Sequence, residues 1–304
     1  MNNTPATYEF GDFVQTFQIE DLNIRGRLIR LDQTYAEAIK AHDYPPFIEK
    51  LVGEILVLAA VLASALKYDG VFKLQVQGDG PVSLIMADIT SDGAMRACAK
   101  IREGVDPADI AEGASIPQTL GAGHMAFTVD QGPDTDRYQG ITEITGATLA
   151  ECAQNYFRQS EQIETAIAIT ADANGPSHAA GLMVQRLPMA RDGEQEEENW
   201  RRAVILMSSI TNKELLDPSL SATKILYRLY HEDGIRLYEQ GALRHECRCS
   251  EDRVSRTLRA FPRSEIDEMA EDGLITVTCE FCRTDYVYDE RRLDDLFADA
   301  AGAT

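Results

Sequence analysis

Cys247-Arg248-Cys249 and, after an excursion of twenty-nine residues, Cys279-Glu280-Phe281-Cys282 decide how the last third of this chain folds. Two close thiol pairs joined by a long excursion suit a tetrahedral zinc site of four thiolates. Each pair sits on one tight turn, and the excursion lets the two turns meet across the metal. The first pair is the oddity. A structural zinc ribbon usually carries C-x-x-C or a wider pair on both sides, and C-x-C is tighter. That spacing sets a redox-switch reading beside that of a permanently structural site. A disulfide inside either pair would close a tiny loop and leave the two halves unjoined, whereas a metal joins them. Local oxidation would therefore remove the long-range crosslink, which is of use to a sensor and of none to a purely structural site. Metal-bound thiols are deprotonated and so stay open to oxidants.

The excursion carries its own start and stop signals. Ser250 caps a short helix with Val254 and Leu258, Pro262 breaks it, Ser264 starts another with Ile266 and Met269 inward, and Gly273 ends that. Leu274 to Thr278 reads as a strand and Tyr286 to Tyr288 as its return. Apolar residues are few here, so zinc would supply what the core lacks. Arg244, Arg248, Arg253 and Arg283 flank the cysteines and could offset the charge of four thiolates. His245 is an alternative ligand, but four cysteines already fill a tetrahedron. Cys98 and Cys152 have no metal-like neighbours and read as small buried hydrophobes.

Upstream, Phe13 to Leu31 holds two strand-like runs. Pro45 and Pro46 open a helix whose apolar residues, from Phe47 to Leu66, recur at helical spacing and go nearly all round over its second half, which places it deep in a core. Phe72 to Gln77 and Val82 to Ile89 alternate about a Gly78-Asp79-Gly80 turn. A second hairpin runs from Met125–Val129 to Gly140–Ile144 about Gly132 and Pro133. Thr148 and Glu151 suggest a capping box, and Ile163–Thr170 and Ala179–Leu187 read as closing strands. Composition shifts after Pro188. Asp192, Glu194, Glu196, Glu197 and Glu198 lead into a helix from Trp200, Thr211 and Glu214 make a second capping box, and Ser219 to His231 is helical. The expected architecture is α+β. Residues 1–187 form a mostly antiparallel sheet domain with helices, residues 188–242 a metastable helical linker, and residues 243–304 a small zinc-binding module.

The 304 residues carry a net charge of −21, and 44% of them are hydrophobic. Such a chain supports a real core and repels nucleic acid and anionic membrane. Between Arg244 and Arg292 there are nine basic and twelve acidic residues, which weighs against the competing reading of a nucleic-acid-binding zinc ribbon. A zinc hydrolase needs an open coordination position, and four cysteines leave none. No nucleotide-binding loop or Ser/His/Asp order is visible, so no enzyme is expected. Met1 to Phe10 has neither a basic nor an apolar leader region, and Ile55 to Leu66 is too short to span a bilayer, so a cytoplasmic protein is expected.

These residues together resemble the 33-kilodalton heat-shock chaperonin family of bacterial redox-regulated chaperones. The resemblance rests on His42-Asp43-Tyr44-Pro45-Pro46, Leu66-Lys67-Tyr68-Asp69-Gly70 and Gln75-Val76-Gln77-Gly78-Asp79-Gly80-Pro81. It continues through Tyr138-Gln139-Gly140, Asn155-Tyr156-Phe157-Arg158-Gln159-Ser160-Glu161-Gln162 and Tyr230-His231-Glu232-Asp233 to the two cysteine pairs. It implies one zinc per reduced chain on Cys247, Cys249, Cys279 and Cys282. It also implies that oxidation forms Cys247–Cys249 and Cys279–Cys282 disulfides, releases the zinc and unfolds module and linker. The oxidised chain would then dimerise and hold unfolded client proteins without ATP. The acidic run from Glu194 to Glu198 departs from what the resemblance leads one to expect.

Overall fold

The computed structural model describes residues 10–111, 113–132, 138–172, 174–175, 177–187 and 193–301. Pro133, Pro188 and Asp192, and the leader region before Phe10, lie outside them. Packing divides the chain into two compact units, one ending at His245 and one starting at Glu246.

The first unit opens with β1 (Phe13–Ile19) paired to β2 (Ile24–Leu31), then α1 (Gln33–Lys40) and the long α2 (Pro46–Ala63). Strands β3 (Val71–Gly78), β4 (Val82–Thr90) and β5 (Ala94–Ile101) follow, then a short α3 (Ile116–Leu120), β6 (Gly123–Asp130) and β7 (Tyr138–Glu143). Next come α4 (Leu149–Tyr156), β8 (Thr165–Asp172) and β9 (His178–Arg186). Three helices, α5 (Glu194–Ser208), α6 (Asn212–Leu216) and α7 (Ala222–Tyr230), lead to β10 (Ile235–Ala242) and the two-residue β11 (Arg244–His245).

Two sheets result. One runs β10-β1-β2-β9-β8 and is antiparallel throughout; the other runs β11-β5-β4-β3-β6-β7 and is antiparallel except for β11 on β5. The fold is thus mixed α+β with mostly antiparallel sheets, as expected from the alternating runs. α2 packs against strands of both sheets, which is why it is apolar on every side from Ile55 to Ala63. Gly53 permits one of these contacts: a Cβ there would lie 2.6 Å from that of Ala171.

The other face of the five-stranded sheet is covered as well. Phe17, Ile24, Leu28, Leu182 and Val184 pack with Ala203, Met207, Leu215, Ile225, Leu226 and Tyr230 from α5, α6 and α7. Strands β2 and β9 are therefore buried on both faces, so their sequences lack a clean alternation. Arg30 fastens this layer. It is 1% exposed, donates from Nη2 to the carbonyls of Leu215 (3.1 Å) and Asp217 (3.2 Å), and lies over the Phe10 ring. Burial pulls its pKa down to about 10, with Asp217 opposing.

The acidic residues Glu194, Glu196 and Glu197 occupy the first turn of α5, where carboxylates suit the helix dipole. The Thr211–Glu214 capping box is complete. At α4 the Thr148 hydroxyl accepts from the Glu151 amide, but the Glu151 carboxylate reaches the amide of Ala147 in place of that of Thr148. The segment expected to be helical also contains β10. Its only apolar entries are Ile235, Leu237, Tyr238 and Ala242, because one side of this edge strand is left to solvent.

The second unit contains α8 (Glu251–Leu258), α9 (Arg263–Glu268), the hairpin β12 (Leu274–Thr278) and β13 (Asp285–Asp289), and α10 (Glu290–Ala301). Its buried apolar side chains are Leu258, Ile266, Ile275, Tyr288, Leu293 and Leu296 among the described residues.

Candidate metal centre

The second cysteine pair is built by the turn of the β12–β13 hairpin. The last ladder pair is Thr278 with Asp285. Beyond it the Cys279 amide donates to the Thr284 carbonyl and the Arg283 amide donates to the Cys279 carbonyl, both at 2.9 Å. Arg283 closes the turn in the left-handed region, φ 57°. The first pair lies in the extended segment before α8. Ser250 caps that helix by accepting from the Arg253 amide, and the Arg253 guanidinium turns back to the Arg248 carbonyl at 2.8 Å. One arginine thus ties the segment between Cys247 and Cys249 to the helix that follows.

All four sulfurs converge within 4.8 Å of one another. Across the two halves, Cys247 Sγ lies 3.7 Å from Cys279 Sγ and Cys249 Sγ lies 3.4 Å from Cys282 Sγ. Ligands about 2.3 Å from a central zinc sit about 3.8 Å apart on a tetrahedron. The cluster therefore has the size and donor set to hold a metal ion, with each half contributing two sulfurs.

Two neighbours sharpen its electrostatics, and neither shows in the spacing. The Tyr286 hydroxyl donates to Cys249 Sγ at 3.1 Å, and the Thr284 hydroxyl lies 3.2 Å from Cys282 Sγ. Burial acts to raise the Cys282 thiol, but hydrogen bonds from the Thr284 hydroxyl and amide, together with those of Cys249 and Cys247, outweigh it and hold the group at about 6. Burial pushes Cys249 up to about 12, against the Tyr286 bond. Burial also raises Cys279.

The flanking arginines have separate tasks. Arg244 pairs with Asp92 at 2.6 Å within the first unit, and Arg283 approaches Glu280 at 3.8 Å. His245 belongs to β11, in register with Met95, and the metal-sized cluster consists of the four cysteines. Cys98 and Cys152 are buried in the first unit, and burial pushes the Cys152 thiol up to about 11.

A two-unit α+β chain whose smaller unit gathers four thiols into a metal-sized cluster defines a narrow class. A model of the Hsp33 protein family matches residues 12–289. The 33 kDa chaperonin of Caulobacter vibrioides is 39% identical, the match covering 94% of this chain and 97% of that one. The 33 kDa chaperonin of Aliivibrio salmonicida is 35% identical over 98% and 97%. The crystal structure of the 33 kDa chaperonin from Thermotoga maritima shares the fold, with a TM-score of 0.79 over 96% of this chain and 99% of that one at 21% identity. The chain belongs to the Hsp33 family of chaperones. No helix among the described residues is long and apolar enough to cross a membrane.

Proposed function

We propose that this chain is a redox-regulated, ATP-independent holdase of the cytoplasm, a weak chaperone when reduced and an active one when oxidised. The observation that carries the reading is the convergence of four sulfurs from two halves of a unit with six buried apolar side chains. So small a core leaves the unit dependent on its crosslink. Cys247, Cys249, Cys279 and Cys282 would hold one zinc ion per chain. When bound, zinc supplies the join between the C-x-C segment and the hairpin turn, and keeps the sulfurs as thiolates.

Oxidation would join Cys247 to Cys249 and Cys279 to Cys282. Each disulfide forms from two thiolates and gives two electrons to the oxidant; hypochlorite takes these with two protons from the solvent and leaves as chloride and water. The pairing matters. Disulfides across the halves, Cys247 to Cys279 and Cys249 to Cys282, would preserve the crosslink; disulfides within each pair remove it. The second unit then loses its fold, and the chain continuing back through β10 and α7 to α5 loosens with it. Leu215, Ile225 and Leu226, now buried, and the half-buried Leu206, Leu216 and Leu229 would face solvent, together with the sheet surface they cover. Exposed apolar surface binds the exposed cores of unfolding client proteins. The oxidised chain would act as a homodimer on such clients, without nucleic acid or membrane, and without a catalysed reaction.

Peptide mapping after hypochlorite tests the pairing. The expected products are the two within-pair disulfides; cross-pair disulfides in an active chaperone would overturn the unlocking scheme. The acidic first turn of α5 would keep client complexes soluble. Replacing Glu194, Glu196, Glu197 and Glu198 by Gln is expected to turn soluble complexes into precipitates, read by centrifugation.

A further inference from the structure

Two stretches of the first unit, Tyr138-Gln139-Gly140 and Asn155 to Gln162, play no part in the thiol centre. They meet each other. α4 passes into a π-helical turn, Phe157–Glu161, ended by Gln162 in the left-handed region. A π turn brings residues five apart onto one side. The Tyr156 hydroxyl accordingly donates to Glu161 Oε1 at 2.6 Å. Tyr138, the first residue of β7, donates to the same oxygen at 2.6 Å. Gly140 makes room for the Tyr156 ring, since a Cβ there would run into it.

Beside this group opens a cavity of about 260 Å³. Leu62, Phe72, Phe127, Phe157 and Ile163 supply apolar wall. Arg25 also lines it, with its Nε donating to Gln185 Oε1 at 3.2 Å. Glu161 Oε2 accepts no hydrogen bond among the described residues. An apolar cavity thus carries one free acceptor and one planar cation. Next to it, β7 is the edge of its sheet and pairs only with β6 among the described residues. Its outer backbone groups can take another strand.

We propose that the cavity and the β7 edge form a polypeptide site that takes an extended segment with a tryptophan side chain in the cavity. The indole body suits the apolar walls, its N–H would donate to Glu161 Oε2, and Arg25 can lie against its face. An aliphatic side chain leaves Oε2 unused, and a lysine or arginine could pair with Glu161 but would bring a second positive charge into a cavity that Arg25 already lines. Tryptophan is largely buried in folded proteins, so unfolding chains display it selectively. The inference rests on the chaperone reading for the source of the ligand, but the site is already formed with the thiols reduced.

The test is fluorescence anisotropy of a labelled Ser/Thr-rich peptide with one central Trp, and of its Ala counterpart, against the reduced full chain with zinc and reductant present. The Trp peptide is expected to bind roughly tenfold tighter. Ala65→Phe, from the cavity wall, and Leu66→Trp, from an exposed lining position, should each abolish that preference. Glu161→Ala should weaken the Trp peptide alone. Equal binding of the two peptides, or a preference that survives both plugs, overturns the site. N-acetyl-tryptophanamide binding as tightly as the peptide overturns the polypeptide assignment. No oxidant is used, so this result is independent of whether hypochlorite releases zinc, and its failure would leave the thiol switch untouched.

Discussion

Residues up to His245 bury an eighteen-residue helix among the strands of two sheets, and cover the far face of one sheet with three more helices. Residues from Glu246 bury six apolar side chains around a hairpin and three helices. The first unit is held by apolar area removed from water, spread over many side chains. The second has too little of it, and four converging sulfurs stand where a larger core would be. Stability that rests on one crosslink can be withdrawn in one chemical step; stability spread over a core cannot.

Stripping the metal should break the contrast most sharply. Structural zinc binding is worth about 10–16 kcal/mol in small domains. A strong chelator under reducing conditions, or Cys279→Ser, is expected to abolish hydrogen-exchange protection in Ile275–Tyr288 while α2 and β3 keep theirs. Loss of protection in both units together would erase the distinction. The reverse probe is Leu56→Ala in α2. It should cost about 2–5 kcal/mol in denaturant unfolding of the first unit, with zinc affinity unchanged.

A smaller effect tests the layer between these extremes. Arg30→Ala leaves the carbonyls of Leu215 and Asp217 without their buried donor, at a cost of about 1–3 kcal/mol. Limited proteolysis should then cut near Ser209–Ser221 in reduced protein, with partial chaperone activity before any oxidant is added. Unchanged proteolysis would show that Arg30 does not fasten these helices.

The smallest prediction concerns pH. Burial raises the Glu54 carboxyl to about 7, against Lys50. The folded state therefore favours the protonated acid. The cost of its charge is absent below the ordinary value of 4.5 and fully present above about 7. Glu54→Gln should raise the Tm by roughly 2–4 °C at pH 8, and the gain should vanish by pH 4.5. A constant difference across that range would contradict the assignment.

Much of this was legible in the sequence where one face of an element meets water. Phe72, Leu74 and Val76 alternate because the other side of β3 is less buried, and α2 shows itself by being apolar all round over its second half. β5, Ala94–Ile101, went unread because small residues such as Ala97 and Ala99 give little contrast. α10 carries Leu293, Leu296 and Phe297 at helical spacing, a signal that was there to be found. β10 is an exposed edge whose pairing with β1 depends on residues more than two hundred positions away. At the thiol centre the four cysteines were legible from spacing. The Tyr286 and Thr284 contacts were not, since they depend on how the hairpin turns its side chains toward the sulfurs.

The central claim is that the chaperone becomes active as the crosslink is lost. The most direct measurement is zinc release on adding hypochlorite, followed with a chromogenic chelator while light scattering tracks aggregation of a heat-unfolded client. The account predicts that about one zinc per chain leaves, as the four-thiolate site requires, and that client scattering falls in step with its release. Zinc that stays bound while the client is protected, or that leaves with no protection, would contradict it.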